Sequence, residues 1–247
     1  MRMDGYYRSP YRAGNPLASV LRQTPPVTRA LIVACTAIFV VQLLVDYGTS
    51  GVGTRELLLT LGLVPQRFLH GYVHQAVTYA FLHGGFGHLL FNMLSLWMFG
   101  SEMERLWGGG RFTRYYAICG IGAALTTVAA DWRSIHPTIG ASGAILGLLL
   151  AYGLTFPTRT VLLYFVIPVS ARVLVILTIV LQVFFYREAM GSGIAVWAHL
   201  GGMLFGWLAL QRWRRPRAIL NELRWRIRRR RFRVMPRKGN GDPGMFH

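Results

Sequence analysis

Seven stretches of the chain carry no Lys, Arg, Asp or Glu: 30–45, 68–101, 115–130, 134–158, 160–171, 173–186 and 189–211. Several approach the ~20 apolar residues that cross the hydrocarbon core of a bilayer. Residues 30–211 hold only 15 of the 36 charged residues, and the whole chain is 15% charged against 53% hydrophobic. A soluble domain carries about 25% charged residues and has no need of so many uncharged runs. The pattern is that of an all-α polytopic membrane protein. The same composition excludes disorder, a collagen-like fibre and a disulfide-stapled secreted scaffold. Cys35 and Cys119 both lie inside apolar runs, have no CxxC or ligand neighbour, and read as small buried packing residues.

The runs resolve into six expected spans, at about 29–45, 84–101, 112–130, 137–156, 170–186 and 193–211. A long connection, 46–82, separates the first two, and Val161–Ile167 is expected to lie shallow before Arg172, which belongs at the membrane surface. Charge tests the count. With both termini inside, the inner segments carry the entire net charge of +18, and each of the three outer connections is neutral. Of the 27 Lys and Arg, 23 fall inside and 4 outside, the bias expected of cytoplasmic segments. Three parts follow: a cytoplasmic N-terminal arm, 1–28, too hydrophilic for the core of a signal peptide; a six-span domain, 29–211; and a basic cytoplasmic tail, 212–247. The run from Arg224 to Arg233 mixes basic and aromatic residues directly after a span, where such a cluster attracts anionic lipid headgroups rather than nucleic acid.

Polar groups inside apolar spans are rare and informative. Three sets stand out, all in even-numbered spans: His88 to Asn92, Gly140 to Ala144 around Ser142, and Ala198 to Gly202 around His199. Those spans run in the same direction, and at 1.5 Å per residue Ser142 and His199 both fall roughly 8 Å below the outer boundary, with His88 slightly shallower. A serine hydroxyl becomes a useful nucleophile when a base takes its proton, and histidine is the usual base near neutral pH. Acyl transfer also needs donors aimed at the developing oxyanion. His88 and Asn92, four residues apart, share a helix face, and the Ser142 N–H near its helix start can join them. No span contains an Asp or Glu, which leaves a Ser–His dyad rather than a triad. Gly143/Gly147 and Gly202/Gly206 are small-xxx-small pairs that allow helices to approach closely, as such a dyad requires. No HExxH or phosphate-loop motif is present, and no carboxylate supports a metal site from His70, His74, His83 and His88; the outer-loop histidines, His83 set apart, read as hydrogen-bonding residues, so neither metal nor cofactor is expected.

These residues resemble a family, the six-span bacterial rhomboid intramembrane serine proteases. The matching stretches, in family order, are Thr78 to Asn92, Glu104 to Phe112, Gly140 to Gly147 and Ala198 to Gly206. The resemblance implies a six-helix rhomboid-like bundle in the cell membrane, multi-pass and without cofactor, with Ser142 as nucleophile and His199 as general base. It further implies an oxyanion hole from His88, Asn92 and the Ser142 amide, with Gly140 turning the loop before the serine. Ala198, Gly202 and Gly206 would pack the sixth helix on the fourth, with Gly143 opposite them. Glu104 and Arg105 would belong to the turn between the second and third spans. Transmembrane proteins would be the substrates, cleaved near the outer surface. Two positions depart from the family pattern: His74-Gln75 stands where some relatives have Trp-Arg, and Leu146 stands where many carry an aromatic. Two other readings predict different residues. A non-proteolytic rhomboid-like scaffold usually lacks the Ser or the His, and a transporter with a histidine relay needs acidic partners in its spans.

Overall fold

The structure, a computed structural model, describes residues 23–163, 166–185 and 196–213. The N-terminal arm through residue 22, the Arg187/Glu188 connection and nearly all of the basic tail lie outside the described residues. The chain divides into two compact units, Met1–Ala209 and Leu210–His247. Of the second, only 210–213 are described, and they are helical.

Helix α1 spans Pro26–Thr49, with proline in its first turn, where the missing N–H costs nothing. It ends at Ser50, whose φ of 49° is left-handed. Its free N-terminal amides are capped from 76 residues away. The Glu104 carboxylate accepts from Val27 N at 2.9 Å, Thr28 N at 2.7 Å and the Thr28 hydroxyl at 2.7 Å. Glu104 is buried, and the positive end of the helix dipole offsets its charge. Among the described residues α1 alone is long and apolar enough by itself to cross a membrane.

The connection after α1 is ordered. Helix α2 (Val52–Leu61) leads to α3 (Pro65–Leu69), α4 (Gln75–Thr78) and a 3₁₀ turn at Tyr79–Phe81. Gln75, fully buried, ties it together: its Oε1 accepts from Val64 N at 3.0 Å, and its Nε2 donates to the carbonyls of Leu59 and Thr60 at 3.0 and 3.2 Å. His74 and the Thr78 hydroxyl reach the carbonyls of Thr60 and Leu61. A histidine-glutamine pair thus anchors the loop.

A continuous helical segment then runs from α5 (Phe86–Ser95) through a π-helical turn at Leu96–Gly100 into α6 (Ser101–Trp107). Gly108, at φ 78°, reverses the chain into α7 (Gly109–Ala130). Helix α8 is Ser142–Thr155, and α9 is Ala171–Phe185. The last helix, α10, covers 196–213. The expectation of an all-α chain needs one correction. Thr160–Leu163 (β1) and Ile167–Ser170 (β2) pair antiparallel, with Thr160 opposite Ser170. This β-branched apolar run satisfies its backbone as a hairpin, which an account based on hydrophobicity alone overlooks.

The helix contacts use many small residues, and large apolar side chains face outward. Helix α7 turns Cys119, Gly120, Gly122, Ala123 and Ala124 inward, while Val40, Leu44, Leu90, Ile121, Val180 and Leu204 stand exposed. Buried tyrosines bridge the elements through their hydroxyls: Tyr79 donates to Gly120 O and Tyr115 to Gly147 O, each at 2.8 Å.

Candidate active site

Four elements converge on Ser142. Helix α8 starts at the serine itself rather than at residue 137, because Pro137 and Gly140 keep the preceding segment irregular. That segment is fixed to the long connection. Leu63 and Thr138 exchange two backbone bonds of 2.9 Å, and Gly140 N donates to Tyr79 O at 2.9 Å. Gly140 has φ of 117°, in the region glycine tolerates and other residues avoid.

Opposite it stands His199, on the first turns of α10. Its Nε2 lies 2.7 Å from Ser142 Oγ. For the hydroxyl to donate to Nε2, the imidazole must carry its proton on Nδ1. That nitrogen is buried, with no partner among the described residues. Among the described residues, therefore, no carboxylate meets the imidazole, and Ser142 and His199 form a hydrogen-bonded pair.

Close backbone approach makes this pairing possible. A Cβ on Gly202 would strike the Gly143 carbonyl, and one on Gly143 would lie 2.6 Å from Ala123 Cβ and 3.0 Å from Ala198 O. One on Gly147 would meet Cys119 and, at 2.8 Å, Gly202 O, and one on Gly206 would lie 3.0 Å from Cys119 Sγ. Ala198 is itself buried. Gly143, Gly147, Ala198 and Gly202 make the contact between α8 and α10, whereas Gly206, expected there too, faces Tyr115 and Cys119 of α7 instead.

His88 comes from the first turn of α5. Gly84 N donates to its Nδ1 at 3.3 Å, which leaves the proton on Nε2. The point that a Cβ on Gly140 would occupy lies 2.8 Å from His88 Nε2 and 3.8 Å from Ser142 Oγ. The absent side chain thus leaves a space bounded by a ring donor and a hydroxyl nucleophile. Asn92 is buried one turn along α5, and its Nδ2 donates to His88 O at 3.0 Å, so one amide hydrogen is engaged within its own helix. The described geometry joins Ser142, His199, Gly140 and His88, and sets Asn92 behind His88 without a contact to the serine. Leu146 is half-buried one turn after Ser142.

A family model described as "Rhomboid domain" matches residues 70–214, more than half of the chain. The chain belongs to the rhomboid family. Among its relatives, "Rhomboid protease GluP" of Bacillus subtilis is 29% identical over 193 residues, 78% of this chain and 36% of that one. "Rhomboid protein 1, mitochondrial" of Saccharomyces cerevisiae is 33% identical over 137 residues, 52% of this chain and 39% of its own length. "Rhomboid protease GlpG" of Yersinia pestis is 23% identical over 199 residues, 81% of this chain and 66% of that one. This rhomboid thus spans between about a third and two thirds of the length of these curated relatives. Membership makes it a helical, multi-pass membrane protein, in line with the exposed apolar faces of its helices.

Sequence reasoning passed over one supporting residue. Gln42, the only amide in the uncharged run of α1, is buried and exchanges two bonds of 3.1 Å with the backbone of His83. His83 is buried against His88, ring centroids 5.2 Å apart and edge-on. A lone amide in an apolar span was the available signal for Gln42. His70 and His74 hydrogen-bond to backbone carbonyls of the long connection, as expected of loop histidines.

Proposed function

We propose that this rhomboid is an intramembrane serine endopeptidase, with Ser142 as nucleophile and His199 as general base. The observation that carries the reading is the 2.7 Å contact between Ser142 Oγ and His199 Nε2. Ser142 Oγ attacks the peptide carbonyl carbon while its proton passes to His199 Nε2. The carbonyl oxygen becomes an oxyanion in the space beside Gly140, where His88 Nε2–H, the Ser142 N–H and the free amide hydrogen of Asn92 are its donors. Collapse breaks the C–N bond, and His199 gives its proton to the departing amine. Water then attacks the acyl-serine through the same base, releasing the acid and restoring the hydroxyl. Gly140, Gly143, Ala198, Gly202 and Gly206 hold the pair at bonding distance.

The substrates in this reading are transmembrane segments of other proteins, cleaved near the outer surface of the cell membrane. A formed helix hides its carbonyls, so segments containing Gly, Pro or small polar residues open most readily. The chain is read as crossing the membrane six times, as a protease domain of 29–211 between a cytoplasmic arm of 1–28 and a cytoplasmic tail of 212–247. The basic tail then meets anionic lipid headgroups. The site uses no cofactor and no metal in this mechanism, and nucleic acid has no part in it.

The test compares wild type, Ser142→Ala and His199→Ala in liposomes with a single-span substrate. Each variant is expected to lose at least about a thousandfold in rate, with folding intact. Cleavage that survives Ser142→Ala overturns the assignment. Labelling of Ser142 by a fluorophosphonate in wild type but not in His199→Ala checks the role of the base without any substrate.

A further inference from the structure

A second cavity, of about 400 Å³, opens at the opposite end of α8 from Ser142. Tyr152 lines it, ten residues and about 15 Å of helix rise from the serine. The π-helical turn and the start of α6 form one wall, and β1 forms another. Trp97, Tyr152 and Leu162 make an apolar side, and Ser101, Glu102 and Arg105 make a polar one. The catalytic reading gives this cavity no role.

Two of the polar groups are unused. Ser101 is buried, only 3% exposed, and its hydroxyl has no partner among the described residues although it borders the cavity. Burying a hydroxyl without a partner is costly, so an acceptor reaching it from the cavity would be stabilised. Arg105 donates one N–H to Gln23 O at 2.9 Å, which leaves most of its five donors free, and it meets no carboxylate among the described residues. Glu102 is already paired with Arg159 at 2.7 Å. The polar side therefore presents one uncompensated positive charge next to one orphan donor.

In a membrane protein, an occupant that satisfies both sides must carry an anionic acceptor and a long apolar body. We propose that the cavity is a binding site for a phospholipid, its phosphodiester held by the Arg105 guanidinium and the Ser101 hydroxyl and its acyl chains lying along Trp97 and Leu162. Arginine suits a phosphodiester because two of its N–H groups meet two phosphate oxygens at once. Trp97, 41% exposed, has the amphipathic ring found where chain and headgroup meet.

The full chain, purified in detergent and stripped of lipid, is titrated with phosphatidylglycerol, with dioleoylglycerol and with inorganic phosphate, and occupancy is read by native mass spectrometry. Phosphatidylglycerol is expected to bind at one equivalent. Ser101→Ala and Arg105→Lys should each weaken it about tenfold, the loss typical of one hydrogen bond to a charged group. Arg114→Gln, an exposed arginine on α7 away from the cavity, should bind as wild type does. Ser101→Ala removes only an unpartnered hydroxyl, so its result stands even if Arg105→Lys disturbs the start of α1. Three outcomes overturn the proposal: equal binding of dioleoylglycerol, unchanged affinity in Ser101→Ala, or inorganic phosphate binding as tightly as the lipid, which would make this a site for soluble phosphate.

Discussion

Gly140 meets two demands at once. Its φ of 117° excludes a Cβ on conformational grounds, and the space that a Cβ would fill is bounded by His88 and Ser142. Gly140→Ala is expected to cost about 1–2 kcal/mol from the backbone alone. The methyl group would also push His88 aside, and in the proposed mechanism such a displacement lowers cleavage about a hundredfold. Thermal unfolding in detergent and the liposome assay measure the two effects separately. A variant cleaving at the wild-type rate would remove His88 from the oxyanion hole. The glycine was legible in the sequence as the residue before Ala141-Ser142, and so was the serine–histidine pair. The orphan Nδ1 of His199 was not. Spacing identifies which groups meet, but which of their atoms remain without partners depends on every neighbouring element.

His83 carries a pH prediction. Burial, and then the charge of His88, pushes its pKa down to about 4. An unfolded chain binds this proton from about pH 6.5, whereas the folded chain binds it only near 4. Stability from neutral His83 is therefore complete above about pH 6.5 and is lost as pH falls toward 4. The unfolding midpoint in detergent is expected to drop by roughly 5 °C across that window, and His83→Gln should flatten the slope. The same slope in both proteins would move the effect to other groups.

Among the elements, the long connection and the start of α1 depend on single polar side chains. Gln75→Leu keeps the volume but leaves Val64 N–H unpaired in the interior and removes one of the two donors to Leu59 C=O, the other being Arg67. The expected loss is about 2–4 kcal/mol, together with faster proteolytic nicking between residues 50 and 78. An unchanged midpoint would count against Gln75 as the anchor. Glu104→Ala strands three donors at the start of α1 and should cost a similar amount, while Glu104→Gln keeps an acceptor and should cost about half. Equal losses in the two variants would mean that the negative charge, rather than the accepting oxygens, does the capping. Helix positions were readable from the uncharged runs to within a few residues, as with α7 and α9. The start of α8 was missed because Pro137 and Gly140 sit inside an uncharged run that a span of full length would also produce. The hairpin at Thr160–Ser170 was missed for a related reason, since hydrophobicity is the same in a shallow apolar segment and in paired strands.

At the scale of the whole molecule, helix contacts made by glycine and exteriors made by large apolar residues are two sides of one constraint. Lipid tails are as apolar as leucine, so leucine against leucine gains little inside a bilayer, and association comes from backbone proximity and internal hydrogen bonds. The position of Glu104 extends this to biogenesis. The carboxylate that completes the start of α1 lies 76 residues beyond Thr28 in the chain. As the chain emerges from the ribosome, the first helix must enter the bilayer with its leading amides uncapped. It stays so until the segment that ends in α6 has been made and has packed beside it. Only then can residue 104 reach back and close the helix, so the assembly contains its own checkpoint: the first part inserted is completed by a later one.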